Sequence, residues 1–248
     1  MHLLFDIGNS TIDWAIEVDN KINPSNKFIY QKAELLSQLE SQIRLADTPS
    51  AVLLSCVAEE DIIKTLEGWV RNKWQLDLWQ AVVTSSFNEL QNSYHDTRQM
   101  GVDRWLAMIA ARDKYKNALC VVGCGTATTV DLIDNIGTHM GGYIVPGVEM
   151  MQQALISNTD KIKVTVSDKI AINFANNTQT AINNGASVAT VAMIDRAVDM
   201  LTEQLNSEPK CIITGGMAEK IKPLLKASFE YDKDLVLQGL SIMYRTGQ

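Results

Sequence analysis

Histidine and cysteine are scarce in this 248-residue chain, with three of the first and four of the second. His2, His95 and His139 are widely separated, and Cys56, Cys120, Cys124 and Cys211 form no C-x-x-C pair, so a His/Cys metal centre is not expected. The cysteines lie in or beside short apolar runs (LLSCV, LCVVGC, CIIT), the setting of buried free thiols. No apolar run approaches the roughly 18 residues of a membrane-crossing helix. Met1 and His2 lead straight into a strand-like run, without the basic and apolar regions of a signal peptide. A cytoplasmic protein without membrane contact is the expectation. Positive charge is also short: 22 Lys and Arg stand against 29 Asp and Glu, for a formal net charge of -7. The basic residues are spread along the chain, which argues against a nucleic-acid surface. Neither G-x-x-x-x-G-K-[ST] nor G-x-G-x-x-G occurs, so the standard P-loop and Rossmann readings fall away.

What is present suits a compact protein of one large or two medium domains, since 46% of residues are hydrophobic and 21% charged. Strand-like runs near 2–8, 10–18 and 51–56 alternate with amphipathic stretches near 33–46 and 60–73, a pattern of the α/β class. The polar segment SFNELQNSYHDTRQMG, starting at residue 86, precedes a helix pattern opening at DRWLAMIAARDKY. The expected division therefore gives domains 1–102 and 103–248. The second half opens on ALCVVGCGTATTVDLIDNIG (118–137), which repeats the plan of the first: apolar strand, small-residue break, second strand. Gly8 and Gly125 match at an offset of 117 positions. A duplicated βββαβα unit explains this, and chance likeness between two hairpins is the rival explanation.

The breaks carry the chemistry. Asp6-Ile-Gly8-Asn9-Ser10 ends the first strand, and Gly125-Thr126-Ala127-Thr128-Thr129 occupies the equivalent place. Glycine and asparagine in a hairpin turn commonly serve positive φ. Two such turns also suit a polyphosphate, because glycine lets backbone N–H groups approach an anion while hydroxyls add donors. Asp6 would face phosphates only with a Mg²⁺ between them. A third feature, Gly215-Gly216 in CIITGGMAEKIKPLL, is either ordinary strand–helix packing or a flat seat for adenine.

The ordered set DIGNS (6–10), GVDRW (101–105), GTATTVD (125–131), GGYIVPG (141–147) and ITGG (213–216) resembles type III pantothenate kinase, over most of the chain. That family lies in the acetate and sugar kinase, actin-like ATPase superfamily. The resemblance implies two duplicated ribonuclease-H-like domains with an ATP cleft between them, phosphorylation of pantothenate to 4'-phosphopantothenate, and a homodimer. It also implies Mg²⁺ with ATP and an activating K⁺ or NH₄⁺. By the same resemblance Asp103 is the general base, and Tyr94, Gly101, Val102, Asp103 and Arg104 line the pantothenate site. Thr178 contributes across the dimer, Asp6 is the Mg²⁺-associated carboxylate, and Asp131 holds the monovalent cation. Gly8, Asn9, Ser10, Gly125, Thr126, Thr128, Gly215 and Gly216 fall to ATP, and GGYIVPG to a backbone wall beside pantothenate.

Structural readings stand beside these. Asp103 directly before RWLAMIAA suits a helix N-cap, Tyr94 loop packing, Arg104 a solvated first turn, and Thr178 the cap of a long helix. Ala186, Val188, Val191, Met193 and Ile194 form a stripe suited to core or dimer surface. Two departures from the family's pattern bear on the phosphates: Gly123 stands where D-x-G-T places a carboxylate, and Asp13 where many relatives carry lysine. Kinase activity is still expected, because Mg²⁺ retains several waters and phosphate ligands. Two alternatives remain open at this level: a ligand-binding regulator like the Bvg accessory factor, with little turnover, and a related sugar or acetate kinase.

Overall fold

A computed structural model describes residues 1–159 and 164–247. In chain order its elements are β1 (His2–Ile7), β2 (Thr11–Val18), β3 (Lys21–Ile22), β4 (Asn26–Ile29), α1 (Leu35–Gln42), β5 (Ala51–Cys56), α2 (Glu60–Trp74), β6 (Leu78–Gln80), β7 (Ser86–Phe87), β8 (Leu90–Gln91) and α3 (Val102–Lys114). There follow β9 (Leu119–Cys124), β10 (Ala127–Ile133), β11 (His139–Pro146), α4 (Val148–Ser157), α5 (Thr178–Leu205), β12 (Lys210–Thr214), α6 (Ala218–Ile221), β13 (Phe229–Tyr231) and α7 (Leu235–Thr246). Two compact units result: Met1–Phe87, Tyr94–Ala110 and Asp234–Gln248 form one, Asn88–Ser93 and Ala111–Lys233 the other. The division falls within α3, and the chain returns to the first unit for its last helix. No helix among the described residues is long and apolar enough to cross a membrane.

The first unit is built on a sheet in the order β3-β2-β1-β5-β6, with β4 also paired to β2. β1 and β2 are antiparallel, and β1, β5 and β6 run parallel. β1 reads as an almost unbroken apolar run because both its faces are covered. Leu3, Phe5 and Ile7 pack with Leu35 and Leu39 of α1 and with Ile62, Leu66 and Trp69 of α2. The opposite face receives α7, which lies against β1 and β5. Gly239 of α7 is required there, since a Cβ would run into the Leu106 carbonyl. Glu17 of β2, 2% exposed, is bonded by His2 Nδ1 at 2.9 Å and by the Ser241 hydroxyl of α7.

The second unit repeats the plan in the order β11-β10-β9-β12-β13. With β3 and β4, which pair opposite ends of β2, taken as one interrupted third strand, the third, second, first, fourth and fifth strands of the unit lie side by side in both sheets, the first three antiparallel and the last two parallel to the first. That identity of order bears out the duplicated βββαβα plan and removes chance hairpin likeness as its explanation. The core joins Cys120, Val122 and Val130 to Val191, Ile194 and Val198 of α5 and to Ile213 and Ile221. All four cysteines are buried and free. Of the α5 stripe, Ala186, Val191 and Ile194 are core, whereas Val188 is 42% exposed.

Candidate functional site

In the first unit, Gly8, Asn9 and Ser10 connect β1 to β2. The Gly8 N–H donates to the Thr11 carbonyl at 3.0 Å, and the Tyr30 hydroxyl donates to the Gly8 carbonyl at 2.9 Å, while Asn9 and Ser10 are exposed. Neither Gly8 nor Asn9 has a positive φ, and a Cβ on Gly8 would meet nothing nearer than the Thr11 carbonyl oxygen at 3.7 Å. The turn-geometry explanation of these residues therefore fails. Neither conformation nor packing within the unit demands glycine, which leaves its bare backbone available to a ligand.

Asp6, at the end of β1, accepts a hydrogen bond from the Ser55 hydroxyl at 2.7 Å. Burial pushes its carboxyl up to about 7, and the negative charges of Asp103 and Asp13 push the same way. Asp103 lies inside the first turn of α3, not ahead of it, because the helix already starts at Val102. It is the second helical residue, and its Oδ1 accepts the backbone N–H of Arg104 at 2.9 Å, so the expected N-cap is displaced into the helix. Gly101 precedes the helix and its carbonyl accepts the Trp105 N–H at 3.2 Å. Arg104 is 6% exposed, not solvated, and its Nη1 donates to the Tyr94 hydroxyl at 3.1 Å. One unit thus holds Asp6, Gly8, Asn9, Ser10, Tyr94, Gly101, Val102, Asp103 and Arg104.

The other expected residues belong to the second unit. Gly125 donates its N–H to the Ala127 carbonyl at 3.0 Å, and Gly147 donates to the Thr126 carbonyl at 2.8 Å. Gly125, like Gly8, has ordinary φ and room for a Cβ, the nearest atom lying 3.8 Å away. Thr126 is exposed, but Thr128 is only 1% exposed. Strand alternation turns Thr128 inward and leaves Thr129 half-buried opposite Gly123. A Cβ on Gly123 would stand 2.8 Å from Thr129 Oγ1, so the hydroxyl occupies the room of the missing carboxylate. Asp131 is 2% exposed, and its Oδ1 lies 3.0 Å from Nε2 of the fully buried His139, whose Nδ1 lies 3.1 Å from the Ser93 hydroxyl. Gly215, with φ of +97°, packs onto the Cys124 backbone, whereas Gly216 meets nothing within 4 Å. Asn177, not Thr178, caps α5, accepting the Thr180 N–H at 3.0 Å. Thr178 is exposed at the rim of a hollow of about 670 Å³ that also involves Met151, Leu155, Ala181 and Gly185.

Sequence reasoning missed Ser55, Lys27 and His139. Lys27 pairs with Asp13 at 3.0 Å, which answers where Asp13 points. Ser55 and Lys27 become visible only through strand register, and His139 only through the β10–β11 hairpin, whose register shifts after Leu132.

A family model described as type III pantothenate kinase matches residues 2–200. A type III pantothenate kinase of Nitrosococcus oceani is 35% identical over 97% of this chain and 92% of its own length. One from Dichelobacter nodosus is 32% identical over 97% and 96%. Among solved structures, a putative Baf family transcriptional activator from Campylobacter jejuni superposes with a TM-score of 0.58 at 17% identity, covering 99% of this chain and 98% of that one. MreB5 of Spiroplasma citri bound to ADP gives 0.54 at 11%, covering 99% and 96%. The structural likenesses establish the actin-like ATPase fold, and the family model with the curated relatives establishes that the chain belongs to the type III pantothenate kinase family.

Proposed function

We infer that the chain transfers the terminal phosphoryl group of ATP to the primary hydroxyl of pantothenate, yielding phosphopantothenate and ADP for coenzyme A biosynthesis. The observation that carries the site assignment is the pair of carboxylates in the first unit. Asp6 and Asp103, on different elements, are near enough for one charge to oppose ionisation of the other. Phosphoryl transfer needs both charge neutralisation and a proton acceptor. Asp103 takes the proton from the hydroxyl as its oxygen bonds to phosphorus and the bond from phosphorus to the ADP oxygen breaks. Arg104, steadied by Tyr94, offers a guanidinium to the carboxylate of pantothenate, with Gly101 and Val102 alongside. The backbones of Gly8 to Ser10 and of Gly125 and Thr126 donate to phosphate oxygens, Gly216 offers an open backbone to adenine, and Gly215 shapes that junction.

Asp6 fits a Mg²⁺ accompanying ATP: its carboxyl is held up first by burial and then by the charges of Asp103 and Asp13, a divalent charge offsets both, and Mg²⁺ requires one or two carboxylates besides phosphate and water. When bound, Mg²⁺ neutralises charge developing on the phosphates. The buried Asp131, with its Oδ1 fixed 3.0 Å from Nε2 of His139, is the residue proposed to hold K⁺ or NH₄⁺. A homodimer is supported by exposed apolar side chains of the second unit, among them Phe174, Ile172, Leu155 and Val188, with Thr178 as the residue lent to the partner. The cytoplasm is the proposed location. The regulator reading is not favoured, since relatives matching nearly the whole chain at 30–35% identity carry the kinase name.

Purified protein with ATP, Mg²⁺, K⁺ and pantothenate should form phosphopantothenate. Asp103→Asn should lower kcat by about 100-fold or more with little change in either KM; undiminished turnover would refute the base assignment.

A further inference from the structure

A polar row crosses one face of the first sheet beside the Gly8–Ser10 turn. Ser55 on β5 is in register with Asp6 on β1, Asp6 faces Asp13 on β2, and Asp13 faces Lys27 on β4. Residues directly opposed across strands share a face, and the bonding agrees: Ser55 donates to Asp6 at 2.7 Å, and Lys27 Nζ lies 3.0 Å from Asp13 Oδ2. Asp6 lies two positions before the turn and Asp13 three after it, so the row flanks the turn on both strands. Its charge is unbalanced. The row holds two carboxylates, Asp6 and Asp13, and one ammonium, Lys27.

A polyphosphate brought to this turn meets carboxylates first, and like charges at close range repel unless a cation intervenes. We propose that Lys27 is a phosphate-binding residue of the ATP site, held in readiness by Asp13, so that the positive charge flanking this turn is carried by β4 instead of β2. The proposal deepens the ATP-site reading of the turn and rests on it. The geometry permits the exchange. The Lys27 and Asp13 side chains are 46% and 27% exposed, and an ion pair this open to water is weakly held. Lys27 can leave Asp13 for a phosphate oxygen without stranding a buried charge, and a phosphate group is the stronger partner. Asp13 then acts as a positioning residue, keeping a flexible four-carbon side chain on the correct face.

The test compares binding of ATP with that of adenosine, which lacks the phosphates, by calorimetry on the full chain. Lys27→Ala should weaken ATP about tenfold, the size of one charge-assisted contact, and leave adenosine binding, the KM for pantothenate and the melting temperature unchanged. The exchanged pair Asp13→Lys with Lys27→Asp should recover ATP affinity to within about threefold of wild type, because the cation returns on the neighbouring strand of the same row. Wild-type ATP affinity in Lys27→Ala would overturn the proposal, as would equal weakening of ATP and adenosine, the mark of a structural role. Failure of the function reading is separable: the wild-type protein would then bind ATP yet leave pantothenate unphosphorylated, while the ATP-against-adenosine comparison still decides Lys27.

Discussion

Across β5, β1, β2 and β4 the first unit places Ser55, Asp6, Asp13 and Lys27; across β12, β9, β10 and β11 the second places Thr214, Gly123, Thr129 and Ile144 in the same four positions. The strand order is identical, and so is the hydrogen bond from each turn glycine to the strand that follows. Chemistry has diverged on a preserved backbone. One row is ionic and sensitive to charge, the other hydroxylic and neutral, with Thr129 standing in the space that an aspartate at 123 would need.

The comparison is broken most severely at Asp6. Asp6→Asn should lower kcat/KM by about 100-fold or more, because the charged row loses the carboxylate assigned to Mg²⁺. The same change should stabilise the ligand-free protein. A carboxyl whose folded pKa is raised from 3.8 to about 7 contributes stability that is fully present below its unfolded value and is lost as pH rises through the folded one. At pH 8 the variant should therefore be more stable by about 2 kcal/mol, and at pH 4 the advantage should vanish. Denaturant melts at the two pH values check the sign. No gain at pH 8 would mean that burial and the neighbouring carboxylates do not hold the Asp6 carboxyl up.

Next in size are the turn glycines. Gly8→Ala and Gly125→Ala should each weaken ATP about tenfold while changing stability by less than about 0.5 kcal/mol, since both sites have room for a methyl and ordinary φ. Gly215→Ala supplies the contrast: positive φ and the Cys124 backbone should make it cost about 1–3 kcal/mol in folding. Equal folding costs at all three positions would dissolve the distinction between ligand-facing and packing glycines.

The smallest effect sharpens the contrast between the rows. Gly123→Asp alone should cost about 1–2 kcal/mol by crowding Thr129, and adding Thr129→Ala should recover about 1 kcal/mol of it. A double variant no more stable than the single one would show that Thr129 does not fill that space.

The sheet frameworks were legible because strands covered on both faces, such as LLF and LCVV, read as apolar runs ending at glycine, and because two such runs recur at one offset. Which threonine faces outward was not legible. Thr128 and Thr129 exchange roles with a one-residue change of register, which neighbouring strands set. Lys27 was hidden for a similar reason: β4 is four residues long, and its partner becomes evident only when Asp13 is seen opposite it. Asp103 was singled out from the GVDRW run, yet its helix starts one residue sooner than the DRWLAMIAA pattern suggested. Helix ends are set by local backbone bonding that periodicity does not report. Asn177 took the cap expected of Thr178 on the same principle, an Asn side chain being at least as good an acceptor for the orphan N–H groups.

The return of α7 to the first unit bears on how the protein is made. β1 leaves the ribosome more than two hundred residues ahead of α7, the helix that covers one of its faces. Through that interval the carboxyl of Glu17 lacks its Ser241 partner, and the flank of Leu4 and Leu53 lacks its cover. The second unit, contained almost wholly between Ala111 and Lys233, has all its strands in hand before the first can be sealed. Birth order and order of completion are thus inverted, and the nascent chain has most to gain from a chaperone along its earliest strands.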